Sequence, residues 1–103
     1  MTYTRLTHLH GCFDPSREYT VEASIMIQDE QQTSQGLRAV LTLDDGTALM
    51  TALVEPPLYA EVGADRLLPS EDRLRFTGRL DLEENEPRLI VQTVHDLSKR
   101  DTR

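Results

Sequence analysis

Apolar residues recur at every second position over most of the chain, a pattern typical of β-strands with one buried face. Between Tyr19 and Ile27 the odd-numbered residues are apolar and the even-numbered ones are largely polar. We therefore predict a first strand over residues 19–27, with Ile27 facing inward, and a polar loop over residues 28–36. The alternation resumes in a second strand from Leu37 to Leu43, whose outward residues include Arg38.

A tight turn and a third strand follow. The segment Asp44-Asp45-Gly46 is a strong hairpin signal, because glycine readily adopts a positive φ. We predict the third strand over residues 47–54, ended by Pro56-Pro57, since proline cannot donate to a strand ladder.

The remaining pattern predicts a short helix and two more strands. Leu58 and Val62 recur at helical spacing, with Gly63 limiting the helix to about two turns. Strict alternation over residues 73–82 predicts a fourth strand with Leu82 facing inward and Gly78 at its centre. A charged turn over residues 83–87 precedes a fifth strand over residues 88–97.

This order of elements predicts a mainly β fold, a five-stranded OB-fold barrel with a short helix between strands 3 and 4. Closure into a barrel removes exposed strand edges, and Gly78 suits a bent strand where backbones crowd together. We place the barrel at residues 19–98, an N-terminal extension at 1–18 and a polar tail at 99–103.

Composition narrows the function. The 103 residues carry a formal net charge of -7, which argues against a protein that coats nucleic acid through a broadly basic surface. Cys12 is the single cysteine, so an internal disulfide is excluded and a reducing, cytoplasmic location is expected. Apolar runs of about four residues are far shorter than the roughly 20 that cross a bilayer, so we expect no membrane contact. The first ten residues lack the features of a secretory signal.

Three segments carry a resemblance to a known family: AVLTLDDGTALMTALVEPPLY (39–59), RLRFTGRLDL (73–82) and LIVQTVHDL (89–97). The region from Thr20 to Leu97 resembles the OB-fold family that includes the anticodon-binding domains of class II tRNA synthetases. It is most similar to the OB domain of the bacterial DNA polymerase III alpha subunit. The resemblance implies single-stranded nucleic-acid binding across strands 2 and 3 and the adjoining loops.

The basic residues supply the candidate contacts with phosphate. Arginines form an outward row on the fourth strand, with further candidates on the second and fifth strands, and Tyr59 is a candidate aromatic platform together with Tyr3 and Phe13. Tyr19 and Phe76 lie in apolar registers and are expected in the core. The alternative is that the arginines pair with Glu22, Asp81 or Glu83 on neighbouring strands. The nucleic-acid-binding candidates are Arg38, Tyr59, Arg73, Arg75, Arg79 and Arg88.

Both expected binding loops are acidic, since residues 28–36 carry two acids and residues 83–87 carry three. Single-strand binders normally combine a positive groove with stacking aromatics. Any such binding is therefore expected to be weak.

The third strand has two alternative phases. Either Leu49, Thr51 and Leu53 face inward, or Ala48, Met50, Ala52 and Val54 do, and each leaves apolar side chains outside. The resulting stripe is a candidate partner-binding surface, and its alternative is cover by the N-terminal segment, residues 1–13. The candidate partner residues are Val40, Leu49, Met50 and Leu53.

No cofactor or metal is expected. An extended chain would align His8, His10 and Cys12, with Asp14 or His95 as a fourth ligand, but structural zinc sites usually show a fuller set. Motifs for phosphate loops, nucleophile elbows and zinc proteases are lacking, so we expect neither catalysis nor a small-molecule substrate.

The leading hypothesis is a non-catalytic accessory module in DNA or RNA transactions with weak single-strand binding. The alternative is an acidic protein-interaction adaptor that uses the apolar stripe of strand 3 to join a replication, repair or other complex. In that case the apolar patch would be ringed by acids, Glu30, Glu55, Glu83 and Glu84. A third hypothesis is an acidic mimic of nucleic acid that occupies the groove of another protein, and only the net charge supports it.

Overall fold

The computed structural model describes residues 3–11, 14, 16–83 and 86–96. Its elements in chain order are α1 (Leu6–Gly11), β1 (Glu18–Thr33), β2 (Gly36–Asp44), β3 (Leu49–Val54), α2 (Pro56–Val62), a 3-10 helix (Ala64–Leu67), β4 (Arg73–Glu83) and β5 (Glu86–Asp96). The strands close into a barrel in the order β1-β2-β3-β5-β4, with only β3 and β5 parallel. The five-stranded barrel with a helix between the third and fourth strands is confirmed.

The long polar segment after the first apolar strand is a strand and not the predicted loop. Residues up to Thr33 stay in β1 and pair with β2, and β2 begins at Gly36. The Thr33 hydroxyl donates to the Gly36 carbonyl at 2.7 Å and accepts from the Gln35 amide at 3.1 Å. Because β1 pairs with β4 only over residues 18–24, the ladder of the rest of β1 is to β2 alone. A polar sequence is compatible with a strand that neither face buries.

A β-bulge in β1 explains why Ile27 does not face the core as predicted. The β1–β2 register shifts between Ile25 and Ile27, so Ile25 is buried while Ile27 is 49% exposed. Leu37 and Leu82, also predicted to face inward, are 44% and 47% exposed. Each lies toward the tip of a hairpin, where the barrel core no longer covers the strand. The inward predictions for these three residues are wrong.

Gly78 closes the barrel where β4 and β5 approach each other. A Cβ placed on Gly78 would lie 2.0 Å from the carbonyl oxygen of Ile90 and 2.8 Å from its carbonyl carbon. The ladder between these strands shifts register between Thr77 and Gly78. The prediction that backbones crowd at Gly78 is confirmed, because only glycine tolerates this approach.

The residues before the barrel contribute to its core. Leu6 and Leu9 on α1 are fully buried, and the Thr4 amide donates to the Thr20 carbonyl at 2.7 Å. The Leu6 amide at the start of α1 donates to Asp45 Oδ2 at 2.8 Å. These contacts fasten the N-terminal segment to β1 and to the β2–β3 turn.

Asp45 organises that turn. Its Oδ1 accepts the Thr47 amide at 2.8 Å, the Thr47 hydroxyl at 2.6 Å and the Ala48 amide at 3.3 Å. Burial raises the pKa of Asp45, but these hydrogen bonds and the one from Leu6 outweigh it and hold the pKa below its ordinary value. Gly46 has φ +89°, as the predicted tight turn requires. The ionised carboxylate thus joins α1 to the barrel.

The helix between the third and fourth strands starts and stops at the predicted signals. Pro56 begins α2, and the amide of Gly63 donates to the Tyr59 carbonyl at 2.9 Å. Gly63 has φ +92°, which ends the helix. No helix within the described ranges is long and apolar enough to cross a membrane.

Candidate nucleic-acid interface

The structure decides the phase of the third strand. Met50, Ala52 and Val54 lie in the buried core, as in the second of the two alternatives. Leu53 points to the outer side, opposite Val40 on β2, and neighbouring side chains nearly cover it. Met50 therefore does not belong to the outer apolar stripe, because its side chain fills the barrel interior.

A groove runs over the outer face of β2 and β3, between the tips of the β1–β2 and β4–β5 hairpins. We call it the strand groove. Its volume is about 380 Å³. Val40, Thr51 and Leu53 form part of its lining, and arginines enter it from β2 and β5. The lining residues are Gln31, Arg38, Val40, Thr51, Leu53, Glu83, Glu86, Pro87 and Arg88.

Arg38 is held at one side of the strand groove by two hydrogen bonds. Its Nε donates to Gln31 Oε1 at 3.0 Å, and its Nη1 donates to Glu55 Oε2 at 3.2 Å. Both partners come from neighbouring strand positions, because Gln31 lies opposite Arg38 in the β1–β2 ladder and Glu55 directly follows β3. The guanidinium is oriented, and one carboxylate already balances its charge.

Arg88 is held from the opposite side by two carboxylates. Its Nη2 donates to Asp81 Oδ2 at 2.9 Å, and its Nη1 donates to Glu83 Oε1. The hydrogen bond from Arg88 lowers the pKa of Asp81 below its ordinary value. The Nε of Arg88 is buried without a hydrogen-bond partner among the described residues. Asp81 and Arg88 are opposite each other in the β4–β5 ladder, which makes this pairing local.

The other candidate arginines lie away from the strand groove. Arg75 donates to Glu22 Oε2 through Nη2 at 2.7 Å and through Nε at 3.1 Å, in a pair whose side chains are 13% and 17% exposed. Arg73 donates to the Asp45 carbonyl at 2.9 Å. The Arg79 side chain is exposed and makes no hydrogen bond or ion pair within the described part of the chain. The alternative of pairing with Glu22, Asp81 and Glu83 is confirmed for Arg75 and Arg88.

Aromatic side chains do not line the strand groove. Tyr59 is only 5% exposed, and its hydroxyl donates to Glu30 Oε2 at 2.5 Å. Burial, followed by the hydrogen bond and charge of Glu30, raises the pKa of Tyr59 to about 12. Tyr59 therefore cannot act as the exposed platform that the sequence predicted, because α2 packs its ring into the core. Tyr19 and Phe76 are buried as predicted.

The remaining aromatic candidates do not change this picture. Tyr3 is exposed but lies outside the strand groove. Phe13 falls outside the described residues. The same is true of Cys12, considered above as a zinc ligand, and of Glu84, considered as one of the acids around the apolar patch.

The histidine pattern near the N-terminus lies on a helix instead of an extended chain. In a helix, residues two apart point about 200° away from each other, so His8 and His10 face different directions. His10 Nε2 forms a hydrogen bond of 2.6 Å with the Leu49 carbonyl oxygen. No group of three His, Cys, Asp or Glu side chains that could hold a metal ion occurs among the residues that the structure describes.

Sequence reasoning missed several residues of the strand groove. Gln31 was assigned to a loop, while Thr51 and Pro87 were not considered as lining. Glu55 was predicted as one of the acids around the apolar patch, but its ion pair with Arg38 was not predicted. Arg38 was already known to point outward from β2, and the pairing of β2 with β1 and with β3 would have placed Gln31 and Glu55 beside it.

No family model matches the chain, and no curated protein matches it by sequence. Solved structures do match it at low identity. The second single-stranded DNA-binding protein (SSBb) of Mycobacterium smegmatis aligns with a TM-score of 0.67 at 13% identity, over 84% of this chain and 93% of that chain.

Two further structures are similar. The SSB domain of a protein from Synechococcus sp. aligns with a TM-score of 0.62 at 15% identity, over 76% of this chain and 92% of that chain. The second OB-fold domain of replication protein A from Methanococcus maripaludis aligns with a TM-score of 0.59 at 17% identity, over 81% and 86%. The chain thus has the OB fold. The narrower resemblance to the polymerase and synthetase domains stays a prediction.

Proposed function

We propose that this chain is a non-catalytic OB-fold module that binds single-stranded nucleic acid weakly, in an accessory role in DNA or RNA transactions. The observation that carries the proposal is the placement of Arg38 and Arg88 in one groove on the outer face of β2 and β3. Similar folds that are named as single-stranded DNA-binding proteins support it. We propose the two guanidinium groups as the phosphate contacts.

The same groove explains why binding would be weak. Arg38 shares its charge with Glu55, and Arg88 shares its charge with Asp81 and Glu83. The carboxylates of these pairs are exposed to solvent, which limits the contribution of each pair to about 0–1 kcal/mol, so a phosphate can displace them at modest cost. Each stacked base would contribute roughly 1–3 kcal/mol, but Tyr59 is buried and supplies no such platform here.

The proposal is tested by fluorescence anisotropy with labelled single-stranded DNA and RNA at two salt concentrations. We expect binding that weakens steeply with salt, with a log–log slope of about -0.7 for each phosphate contact on a single strand. Arg38→Gln and Arg88→Gln should each lower affinity about three- to tenfold and reduce that slope by about one contact.

Arg66→Gln is the matched control, because Arg66 is exposed on the 3-10 helix and does not line the strand groove. It makes the same change in net charge. Equal losses in all three variants would mean that net charge, and not the groove, governs binding. No binding at low salt would refute the proposed function.

The arginines of β4 have a secondary place in the proposal. Arg79 opposes Ile90 in the β4–β5 ladder and is free to contact a strand that leaves the groove. Arg73 and Arg75 would first have to release the Asp45 carbonyl and Glu22. We therefore expect Arg79→Gln to weaken binding less than Arg88→Gln does, and we expect no direct contribution from the other two.

A protein-interaction adaptor is the second candidate. The observation that favours it is the exposed Leu49 at the start of β3, which is half accessible beside the acid-lined groove. Under this candidate Val40 and Leu49 contact a protein and nucleic acid does not bind. Leu53, although predicted to take part, is 3% exposed and offers almost no surface to a partner. A partner captured by the wild-type chain and lost on Leu49→Ser, together with no anisotropy change at low salt, would favour it.

A further inference from the structure

A second groove lies between the tip of the β1–β2 hairpin and helix α2. We call it the hairpin–helix groove. Its volume is about 580 Å³, larger than that of the strand groove. Its lining is mostly apolar and comes from both elements. The residues are Glu30, Gln35, Gly36, Leu37, Pro56, Pro57, Tyr59, Ala60, Gly63 and Ala64.

The hairpin separates the two grooves. Successive side chains of a strand point to opposite faces. Leu37 therefore lines the hairpin–helix groove while the next residue, Arg38, lines the strand groove. An occupant of the second groove would meet no arginine, since none is among its lining residues. This chemistry does not suit a nucleic acid.

The walls of the hairpin–helix groove are fastened to each other. The Tyr59 hydroxyl joins α2 to Glu30 on β1 at 2.5 Å. Gln28 Nε2 donates to the carbonyls of Ala64 and Leu67 at 3.1 and 3.0 Å. A site that is already formed spends less free energy on ordering when it binds.

The exposed apolar surface is concentrated on side chains that a partner could cover. Leu37 is 44% exposed although its sequence pattern predicts a buried residue. Pro57 and Ala60 are exposed on α2, and Ala60 leaves space that a larger side chain would fill. Small and rigid side chains around a leucine form a shape that accepts an aliphatic or aromatic anchor.

Charge selects the kind of partner. Glu30 is the one charged side chain among the lining residues, and the chain as a whole carries a formal charge of -7. Glu61 is exposed on α2, next in sequence to the lining residue Ala60. An occupant with Lys or Arg beside its apolar anchor would be attracted, and an acidic one would be repelled.

We propose that the hairpin–helix groove docks a short segment of a partner protein that carries an apolar anchor flanked by Lys or Arg. This inference does not depend on nucleic-acid binding in the strand groove. Glu30 would contact the basic flank, and Leu37 and Ala60 would contact the anchor.

The test begins with selection of peptides from a random display library on the full-length chain. Selected peptides are synthesised, and their affinities are measured by isothermal titration calorimetry. We expect enrichment of peptides with one or two large apolar residues and adjacent basic residues. Amide shifts in NMR spectra should map the peptide to Gly36, Ala60, Gly63 and Ala64.

Three variants test the contacts, with circular dichroism confirming that each is folded. Leu37→Ser removes apolar surface and Ala60→Leu fills the groove from an exposed helical position, so each should weaken the peptide at least tenfold. Glu30→Gln keeps an acceptor for the Tyr59 hydroxyl while removing the charge, so it should weaken binding several-fold and reduce its salt dependence. Leu82→Ser is the matched control, because Leu82 is equally exposed but lies outside the groove.

Several results would overturn the proposal. One is a selection that returns acidic peptides, or no peptide that binds. Another is a peptide whose affinity falls equally in Leu37→Ser and Leu82→Ser. A third is self-association of the chain that Leu37→Ser abolishes, since the occupant would then be a second copy.

Loss of single-stranded DNA binding in Arg88→Gln with unchanged peptide affinity would separate this site from the strand groove.

Discussion

Replacement of Gly78 by alanine tests the closure of the barrel, on which the position of β3 beside β5 depends. The new Cβ would lie 2.0 Å from the Ile90 carbonyl oxygen and 3.0 Å from the Val91 Cα. Carbon–oxygen contacts normally begin at about 3.3 Å, so β5 would have to withdraw by about 1.3 Å. A ladder bond of about 2.9 Å does not survive such a movement.

The expected loss of stability follows from that displacement. Breaking two or three ladder bonds costs about 1 kcal/mol each, and overpacking adds about 1–3 kcal/mol. We therefore expect Gly78→Ala to lower the free energy of unfolding by roughly 3–6 kcal/mol, a large part of the about 5–15 kcal/mol typical of a domain. Urea unfolding followed by far-ultraviolet circular dichroism measures this change.

Gly11→Ala is the control, because a Cβ at Gly11 meets nothing within 4 Å. It should change the free energy of unfolding by less than about 1 kcal/mol in either direction. A Gly78→Ala protein as stable as Gly11→Ala would refute the close approach of β4 and β5.

Three further predictions concern single groups. Asp45→Asn should destabilise the chain by about 1–3 kcal/mol near neutral pH. Because the folded-state pKa of Asp45 is lowered, the difference in free energy of unfolding between the two proteins should shrink as pH falls below about 4. Urea unfolding at a series of pH values measures this difference. Tyr59 should ionise near its pKa of about 12, which ultraviolet titration measures. Tyr59→Phe should remove the loss of stability that the ionisation of Tyr59 causes as pH rises above about 10. Glu55→Gln and Glu83→Gln should each raise affinity for single-stranded DNA about two- to fivefold by freeing the neighbouring arginine, and lower affinity in both would contradict the proposed competition.

Local patterns were sufficient to predict the barrel. The alternation in β2 and β4 identified their buried faces, and Pro56 and Gly63 marked the ends of α2. Gly78 was predicted to lie at a crowded point because a glycine in a strand often marks close backbone approach. Each of these signals comes from a few neighbouring residues and requires no knowledge of the rest of the chain.

Features that depend on distant contacts could not be predicted in this way. The bulge beside Met26 reverses the phase of β1, and no local pattern announces it. Tyr59 follows two prolines and looks exposed, but α2 folds its ring into the core beside Glu30. The N-terminal leucines, Leu6 and Leu9, join the core on α1, whose first amide is bonded to the distant Asp45.

In the candidate site, too, local patterns predicted single residues but not the contacts between distant ones. Arg38 and Arg88 were predicted as outward basic residues, but they are 50 positions apart in sequence and only the parallel pairing of β3 with β5 brings them to one groove. Arg73 and Arg75, predicted as candidates together with them, do not line that groove. The acidic partners of Arg88, Asp81 and Glu83, were among the predicted ones, whereas Glu55 as the partner of Arg38 depends on the β2–β3 register and was not predicted.

The β1–β2 hairpin gives the two proposed sites a shared wall. Its residues Leu37 and Arg38 face different grooves, and Glu30 and Gln28 fasten the hairpin to α2 and the 3-10 helix. A segment docked against Leu37 would therefore contact the same strand that carries Arg38.

The most direct measurement of the central claim is an NMR titration of the isotope-labelled chain with a short thymidine oligonucleotide at low salt. We expect the largest shifts at Val40, Thr51 and Leu53 and at the Nε resonance of Arg88, all fading as salt is raised. Shifts confined to the opposite face, at Glu22 and Arg75, or no shifts at all, would contradict nucleic-acid binding in the strand groove.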